Sequence, residues 1–355
     1  MKKIRIGRRE ENSSFTTHPA TPNNRAKAFA LAHFPFHAGA VTDCHHRENV
    51  TQWCECLMDY DVYHDESKEA GYWHGILLVP QKTREQLVDK LQKLRDNTGY
   101  KGVIQLKGLD KTGGKRYRCT RAWLSLGVAA LIQNLKGTRY PFYTGMDARN
   151  PGFDLLEAVI GAKFILFKVR DDHRDMEGYR DYGAKVETTF RMGLKGGLHL
   201  FADETSLVSV RSFHFDGHEH YRRRIDATRI IERLGTLRQQ VHVSQDAPID
   251  DRSSDHTKGD CQEYDDCQIL QLTDLLVGGF RTVLGYRSNE AQGEVSKPLC
   301  ELADRWHDGY ARMKNSRWFK GFCISECYLE NGEWNFTDIH TKVPDTQLTF
   351  PDLWT

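Results

Sequence analysis

The 355-residue sequence contains no apolar run approaching the roughly 18 residues that are needed to span a bilayer. Its N-terminus, MKKIRIGRREENSSF, has a basic start but lacks the apolar segment of a secretory signal. These two absences predict a soluble, non-secreted protein, for which we expect a cytoplasmic location and no membrane partner.

The sequence also lacks a net charge of consequence, since 50 Lys and Arg residues balance 49 Asp and Glu residues. A nearly neutral chain does not attract a polyanion through its overall field, so any nucleic-acid binding must depend on local basic patches. The nine cysteines are odd in number and irregularly spaced. This pattern argues against a secreted disulfide framework and favours reduced thiols.

Hydrophobic residues make up 39% of the chain, which is enough to bury a large core. Two β-rich runs, LMDYDVYHDES and YWHGILLVP, predict an antiparallel hairpin. A capping-box spacing of Thr83 and Gln86 predicts the start of a helix in TREQLVDKLQKLRDN, and GVIQLKGL is predicted as a third strand.

Continuous apolar runs at 162–169 and 197–204 predict strands that are buried on both faces. Helices are predicted for RAWLSLGVAALIQNL, YRDYGAKVETTFRMGL, HEHYRRRIDATRIIERLGTLRQQ and CQILQLTDLLVGGFRTVLG, and a short strand for VHVSQ. This order predicts an α/β fold, in which an antiparallel hairpin and parallel βαβ units form a mixed sheet flanked by helices. We expect an N-terminal extension at 1–56, the main domain at 57–300 and a β-rich C-terminal cap at 301–355.

Acidic residues stand at the ends of two predicted strands. Asp65 and Glu66 close the first strand, and Asp203 and Glu204 close the strand LHLFADE. Because ligands of such sheets bind outside the carboxyl ends of the parallel strands, we expect both pairs to face one crevice.

Asp274 is a single carboxylate within the apolar segment 267–285. At about 100° per residue, Gln271, Asp274, Gly278 and Arg281 share one helical face. Gly278 would let a metal or substrate approach, Gln271 would orient Asp274 or bind a phosphate, and Arg281 would meet backbone charge. An alternative is that Asp274 is a structural partner of an arginine.

Three converging carboxylates repel one another unless a cation lies between them. Ligands that are all oxygen favour Mg²⁺ or Mn²⁺, and a pair of such ions activates a water and stabilises the leaving oxygen in phosphodiester hydrolysis. The alternative for the strand-end acids is a local role, since Asp and Glu also form turns.

The motifs YHDES, LFADE and LQLTDLLVGGFR together resemble the domain of unknown function 3800 family over roughly residues 57–287. The usual forms in that family are a strand ending in DESG, a middle strand ending in DE and a helix of the type LQLADLLAG. The resemblance implies a ribonuclease-H-like fold and a metal-dependent phosphodiesterase site. Carried over to this sequence, it implies that Asp65, Asp203 and Asp274 are catalytic metal ligands, with Glu66 and Glu204 beside them.

The sequence departs from the family pattern at three positions. Lys68 stands where the family usually has Gly, and Thr273 where it has Ala. Gln105 stands where members often carry an acid on the third strand, which leaves Asp171 and Asp172 as substitutes. In the general ribonuclease H arrangement, an acid ends the strand beside the first one.

Other clusters also contain candidate ligands for a metal or a substrate. The segment CHHRENVTQWCEC has soft ligands, but its spacing fits no standard zinc module. HFDGHEH, with His214, is expected to be a solvated turn, and alternation places His64 on the face opposite Asp65. Basic clusters for phosphate binding, or alternatively ordinary charged surface, comprise Lys115, Arg116, Arg118, Arg222 and Arg223.

The sequence therefore predicts a nuclease that depends on Mg²⁺ or Mn²⁺ and acts on DNA or RNA. A role in mobile elements or phage defence, and a protein partner bound through the termini, are expectations by analogy. The alternatives are an inactive nucleic-acid-binding or regulatory protein on the same fold and a hydrolase of small phosphate esters.

Overall fold

The first two strands form the hairpin that their alternating sequence predicts. β1 (Leu57–Ser67) and β2 (Tyr72–Pro80) are antiparallel, with Tyr63 opposite Leu77. Gly71 directly precedes β2 and has a φ of 122°, which glycine adopts because it has no Cβ.

The structure is a computed structural model of the chain. The described residues are 57–68, 71–131, 160–170, 182–202, 207–216, 234, 241–244, 246–257, 264–286, 288–300, 303, 321–330 and 333–338. Residues 49–355 form one compact unit. The predicted N-terminal extension at 1–56 lies outside the described residues, as does the cysteine- and histidine-containing segment within it.

Eight described strands form one mixed sheet in the order β5-β4-β1-β2-β3-β7-β8, with β6 also paired to β4. The remaining strands are β3 (Lys163–Val169), β4 (Leu207–Asp216), β5 (Val241–Val243), β6 (Ile249–Arg252), β7 (Phe322–Glu330) and β8 (Glu333–Asp338). β1 runs parallel to β4, and β4 runs parallel to β5 and β6. β3 is antiparallel to β2 and parallel to β7.

Helices cover both faces of this sheet, which confirms the predicted α/β class. They are α1 (Gln81–Thr98), α2 (Gly114–Ala130), α3 (Tyr182–Phe201) and α4 (Tyr264–Val283), and residues 290–300 are also helical. Alternate residues of β1 identify the two faces. Tyr63 contacts Asp266 of α4, whereas the neighbouring His64 packs against Phe190 of α3.

The strand predicted at 197–204 is wrong, because residues up to Phe201 belong to α3. Phe190, Leu194, Leu198 and Phe201 recur at three- or four-residue intervals and are all fully buried, as expected for the core-facing side of a helix. A short apolar run does not by itself distinguish a buried strand from a buried helix. The next strand, β4, begins at Leu207.

The strand predicted at GVIQLKGL is also wrong, since residues 102–109 contain no strand. The capping-box prediction is wrong as well. α1 already begins at Gln81, and the Thr83 hydroxyl donates a hydrogen bond to the Ile160 carbonyl at 2.8 Å instead of capping the helix. The third strand in the chain is β3, which matches the apolar run predicted there.

The predicted β-rich C-terminal segment contributes β7 and β8 to the main sheet through the pairing of β3 with β7. The sheet therefore continues across the boundary expected at residue 300. The predicted helix at 218–240 lies outside the described residues except for Leu234.

Most of the described cysteines are reduced, as the sequence predicts. Cys119, Cys300, Cys323 and Cys327 are free. Cys267 is disulfide-bonded, so the prediction of reduced thiols is wrong at this position. None of the described helices has the length and apolarity required to cross a membrane.

Candidate active site

Two aspartates lie side by side at the carboxyl ends of neighbouring parallel strands. β1 and β4 pair Tyr63 with His214 and His64 with Phe215, so Asp65 and Asp216 are the next residue on each strand. The Tyr63 and His214 rings stack with centroids 4.7 Å apart, which identifies the face that α4 covers. With a period of two residues, Asp65 and Asp216 share that face.

Asp274 reaches the same place from the middle of α4. Its carboxyl group is close enough to that of Asp65 to share a hydrogen bond. Burial and the negative charge of Asp216 raise the pKa of Asp274 to about 6. Burial and the charges of Asp274 and Asp216 raise the pKa of Asp65 well above its usual range.

A backbone N–H group donates to each of these three carboxylates. The Ser254 amide donates to Asp216 Oδ1 at 3.0 Å, and the Leu106 amide donates to Asp274 Oδ2 at 3.4 Å. The Glu66 amide donates to Asp65. These bonds favour the ionised carboxylates and oppose the effect of burial.

Gln271 lies in the interior, where it contacts protein groups and is fully buried. Its Oε1 accepts from Arg95 Nη2 at 2.6 Å and from the Ile104 amide at 3.0 Å. Its Nε2 donates to the Ser254 carbonyl at 2.5 Å. These contacts do not support the predicted substrate-binding role of Gln271.

Gly278 makes room for another part of the protein. A Cβ at this position would lie 2.8 Å from Leu106 Cδ2 and 3.1 Å from Leu106 Cβ. The space above Gly278 is thus filled by residue 106, whose amide donates to Asp274. The predicted close approach is made by this loop, not by a metal or substrate.

Arg281 is buried at the same end of α4. Its Nη1 donates to Ser67 Oγ at 2.6 Å, and its guanidinium carbon lies 5.9 Å from the centre of the Trp73 ring. Its positive charge lowers the pKa of Asp274 and partly opposes burial. Arg281 therefore supplies positive potential to Asp274.

Glu66 does not join the three aspartates. It alternates to the opposite face of β1, where its carboxylate accepts from the Tyr72 hydroxyl at 2.5 Å and lies 3.0 Å from Lys68 Nζ. Lys68 thus engages Glu66 where the family pattern has glycine. The other predicted ligands, Asp203 and Glu204, lie outside the described residues.

The basic cluster of the described chain lies at the start of α2. Lys115 and Arg118 are exposed, and Arg116 Nη2 donates to the Gln105 carbonyl at 3.0 Å. Gln105 is an exposed loop residue, so it does not stand on the third strand and leaves no ligand missing there. Arg222, Arg223, Asp171 and Asp172 lie outside the described residues.

His64 lies on the opposite face, as alternation predicts, in a buried chain of hydrogen bonds. Its Nε2 is 2.8 Å from His74 Nδ1, and His74 Nε2 is 2.7 Å from Thr189 Oγ1. Burial lowers the pKa of His64 to about 4 and that of His74 well below its usual range. Both rings are therefore neutral at pH 7 and are part of the packed core.

A second polar network lies on the α4 face, nearer the start of β1. The Asp266 carboxylate accepts from the Tyr63 hydroxyl at 2.7 Å and from Arg84 Nη2 at 2.6 Å. Burial and the Asp266 charge raise the pKa of Tyr63, so its hydroxyl stays protonated and donates. The network borders an open pocket of about 340 Å³ that is lined by Asp61, Gln81, Arg84, Glu85, His214 and Asp266.

His214 belongs to β4 and is buried, so its expected place in a solvated turn is wrong. Its Nε2 lies 3.0 Å from Ser212 Oγ, which donates to Asp61 Oδ1 at 2.5 Å. The strand signal was present in SLVSVRSFHFD, where polar residues separate Val208, Val210, Phe213 and Phe215 up to a terminal Asp. That pattern identifies Asp216, the site residue that the sequence analysis missed.

Among the residues that the structure describes, no group of three or more His, Cys, Asp and Glu side chains already has the spacing of a metal site. A scan against protein-family models finds no match for the chain, and a search of curated proteins finds none either.

Proposed function

We propose that this protein is a divalent-metal-dependent nuclease that hydrolyses phosphodiester bonds of DNA or RNA at Asp65, Asp216 and Asp274. The observation that carries the proposal is the convergence of these carboxylates from two parallel strands and one helix. A ribonuclease-H-like fold and membership of the domain of unknown function 3800 family are parts of the same proposal.

The strand order supports the fold that we propose. β1 has antiparallel β2, followed by β3, on one side and parallel β4, followed by β5, on the other. In the general ribonuclease H arrangement an acid ends the strand beside the first one, and Asp216 ends β4. Asp216 therefore replaces Asp203 in the proposed ligand set.

The carboxylates suit Mg²⁺ or Mn²⁺ in their chemistry. All three groups offer oxygen, and burial together with the charge of neighbouring aspartates raises the pKa values of Asp65 and Asp274. A bound divalent cation would relieve the repulsion between these charges, activate a water molecule and neutralise charge on a phosphoryl oxygen. Because the described residues hold no preformed cage, the proposal requires the carboxylates to draw together around the cation.

The surrounding side chains supply positive charge for a phosphate backbone. Arg281 on α4 lies near Asp274, and Arg116 is anchored to the loop that contacts Asp274. Lys115 and Arg118 flank Arg116 and are exposed. Cations arranged in this way neutralise phosphates without reading the base sequence.

The test is cleavage of labelled single- and double-stranded DNA and RNA by the full chain with Mn²⁺, Mg²⁺ or EDTA. Asp216→Asn and Asp274→Asn are compared with Asp265→Asn, a matched change at an exposed acid in the first turn of α4. We expect metal-dependent cleavage that the first two variants lose and the control retains.

The other outcomes identify the alternatives. Retention of full activity by Asp216→Asn would reject the proposed ligand set. Saturable hydrolysis of a small phosphodiester with no cleavage of any polymer would favour the small-substrate hydrolase. Binding of nucleic acid without turnover, and without stabilisation by Mn²⁺, would favour the regulatory protein.

A further inference from the structure

We propose that Gln271 is a positioning residue that aligns Asp216 and Asp274 by holding the two loops whose amides donate to them. This inference rests on the proposed function, because it assigns a role to these aspartates in one site. Gln271 precedes Asp274 by three residues on α4 and touches both loops.

The first loop is residues 101–106. Gln271 Oε1 accepts from the Ile104 amide at 3.0 Å, and two residues later the Leu106 amide donates to Asp274. Arg95 reinforces the contact, since its Nη2 donates to Gln271 Oε1 and its Nη1 donates to the Gly102 carbonyl at 2.7 Å. The position of the Leu106 amide therefore depends on the Gln271 oxygen.

The second loop is residues 253–256, which follows β6. Gln271 Nε2 donates to the Ser254 carbonyl at 2.5 Å, and the amide of the same residue donates to Asp216 at 3.0 Å. His256 links the loops, because its Nδ1 is 3.0 Å from Gln271 Nε2 and its Nε2 is 3.0 Å from the Lys101 carbonyl. The position of the Ser254 amide therefore depends on the Gln271 nitrogen.

A carboxamide is the chemical group that this place requires. It presents an acceptor to the first loop and a donor to the second in one rigid plane. Glu keeps the acceptor but puts a second oxygen beside the Ser254 carbonyl, so it should release the second loop alone. Met has a similar shape and neither function, so it should release both loops.

The experiment measures Mn²⁺ binding to the full chain by titration calorimetry, together with hydrogen exchange of the Leu106 and Ser254 amides. Gln271→Glu should weaken Mn²⁺ binding about tenfold or more and speed exchange at Ser254 but not at Leu106. Gln271→Met should speed exchange at both amides. Higher Mn²⁺ should restore full occupancy in these variants, since the ligands remain.

Gln268→Met is the matched control. Gln268 is buried on the same helix, and neither polar atom of its amide has a hydrogen-bond partner among the described residues. This substitution should leave Mn²⁺ affinity and both exchange rates unchanged. A loss equal to that of Gln271→Met would show a general effect of changing a buried glutamine and would overturn the proposal.

The remaining outcomes also test the positioning role of Gln271 and the proposed metal chemistry. Unchanged Mn²⁺ affinity in a folded Gln271→Met protein overturns the positioning role. If Mn²⁺ binds neither the wild type nor the variant, the proposed metal chemistry fails, and unchanged amide exchange in Gln271→Met would separately overturn the positioning role. If both Gln271 variants fail to fold, His256→Ala replaces them, with weaker Mn²⁺ binding expected and unchanged binding contradicting the proposal.

Discussion

Asp65 and Asp216 each follow the last paired residues, His64 and Phe215, of two parallel strands. This relationship brings together two carboxylates that are 151 positions apart in the sequence. α4 then adds Asp274, so that three acids lie together at one edge of the sheet. The repulsion among them is a physical property that substitution of Asp274 can test.

Asp274→Asn should stabilise the metal-free protein at pH 7.5 by about 1–3 kcal/mol. The pKa of Asp274 is raised to about 6 in the folded state, so its ionised form is disfavoured there. Its destabilising contribution is absent below pH 3.8, grows as the pH rises towards 6 and is complete above 6. Thermal unfolding in EDTA at pH 4 and 7.5 should show the gain at the higher pH alone.

The control for that measurement is Asp265→Asn, which changes an exposed acid on the same helix and should give no gain. A lower melting temperature for Asp274→Asn at pH 7.5 would contradict the predicted repulsion between Asp274 and the neighbouring aspartates. With Mn²⁺ at about 100 times its Kd, the wild type should gain about 2.7 kcal/mol and Asp274→Asn much less.

Gly278→Ala should destabilise the protein by about 1–2 kcal/mol, because the new methyl group meets Leu106 at 2.8 Å. Gly196→Ala on α3 is the control, since a Cβ there meets nothing within 4 Å and alanine favours a helix. It should stabilise the protein by up to about 1 kcal/mol. Urea unfolding measures both, and Leu106→Ala combined with Gly278→Ala should recover part of the loss.

His74→Gln should make the protein less sensitive to mild acid. Burial lowers the pKa of His74 in the folded state, so stability is complete above the unfolded pKa near 6.5 and is lost as the pH falls below it. Between pH 7 and 5 the wild type should lose up to about 2 kcal/mol that the variant keeps. Urea unfolding at both pH values measures this, with exposed His242→Gln as the control.

Arg84→Met should destabilise the protein by about 3 kcal/mol, because it leaves the Asp266 carboxylate buried without its guanidinium partner. The double variant Arg84→Met with Asp266→Asn removes the charge and should recover most of the loss. Chemical denaturation of the four proteins gives the coupling energy between the two residues. If the losses of the two single variants simply add, Arg84 and Asp266 are not energetically coupled, which would contradict the prediction.

Alternation and apolar periodicity predicted the hairpin, the apolar strand β3 and the helices α1, α2 and α4, because each of these elements carries its own pattern. The same reasoning failed at 197–204, where a short apolar run has no unambiguous period. The strand that follows, β4, ends at Asp216, which the sequence alone did not single out. Of the three aspartates that converge, the sequence therefore singled out Asp65 and Asp274 but not Asp216.

The sequence by itself determined which segments are buried and that Asp65 and Asp274 are carboxylates within or beside such segments. Local patterns encode these properties, since burial follows from composition and spacing. Tertiary structure alone decided that β4 lies next to β1, that loops 101–106 and 253–256 meet at Gln271, and that Leu106 fills the space at Gly278. These contacts join residues far apart in the chain, and they depend on strand pairing and packing that no local pattern specifies.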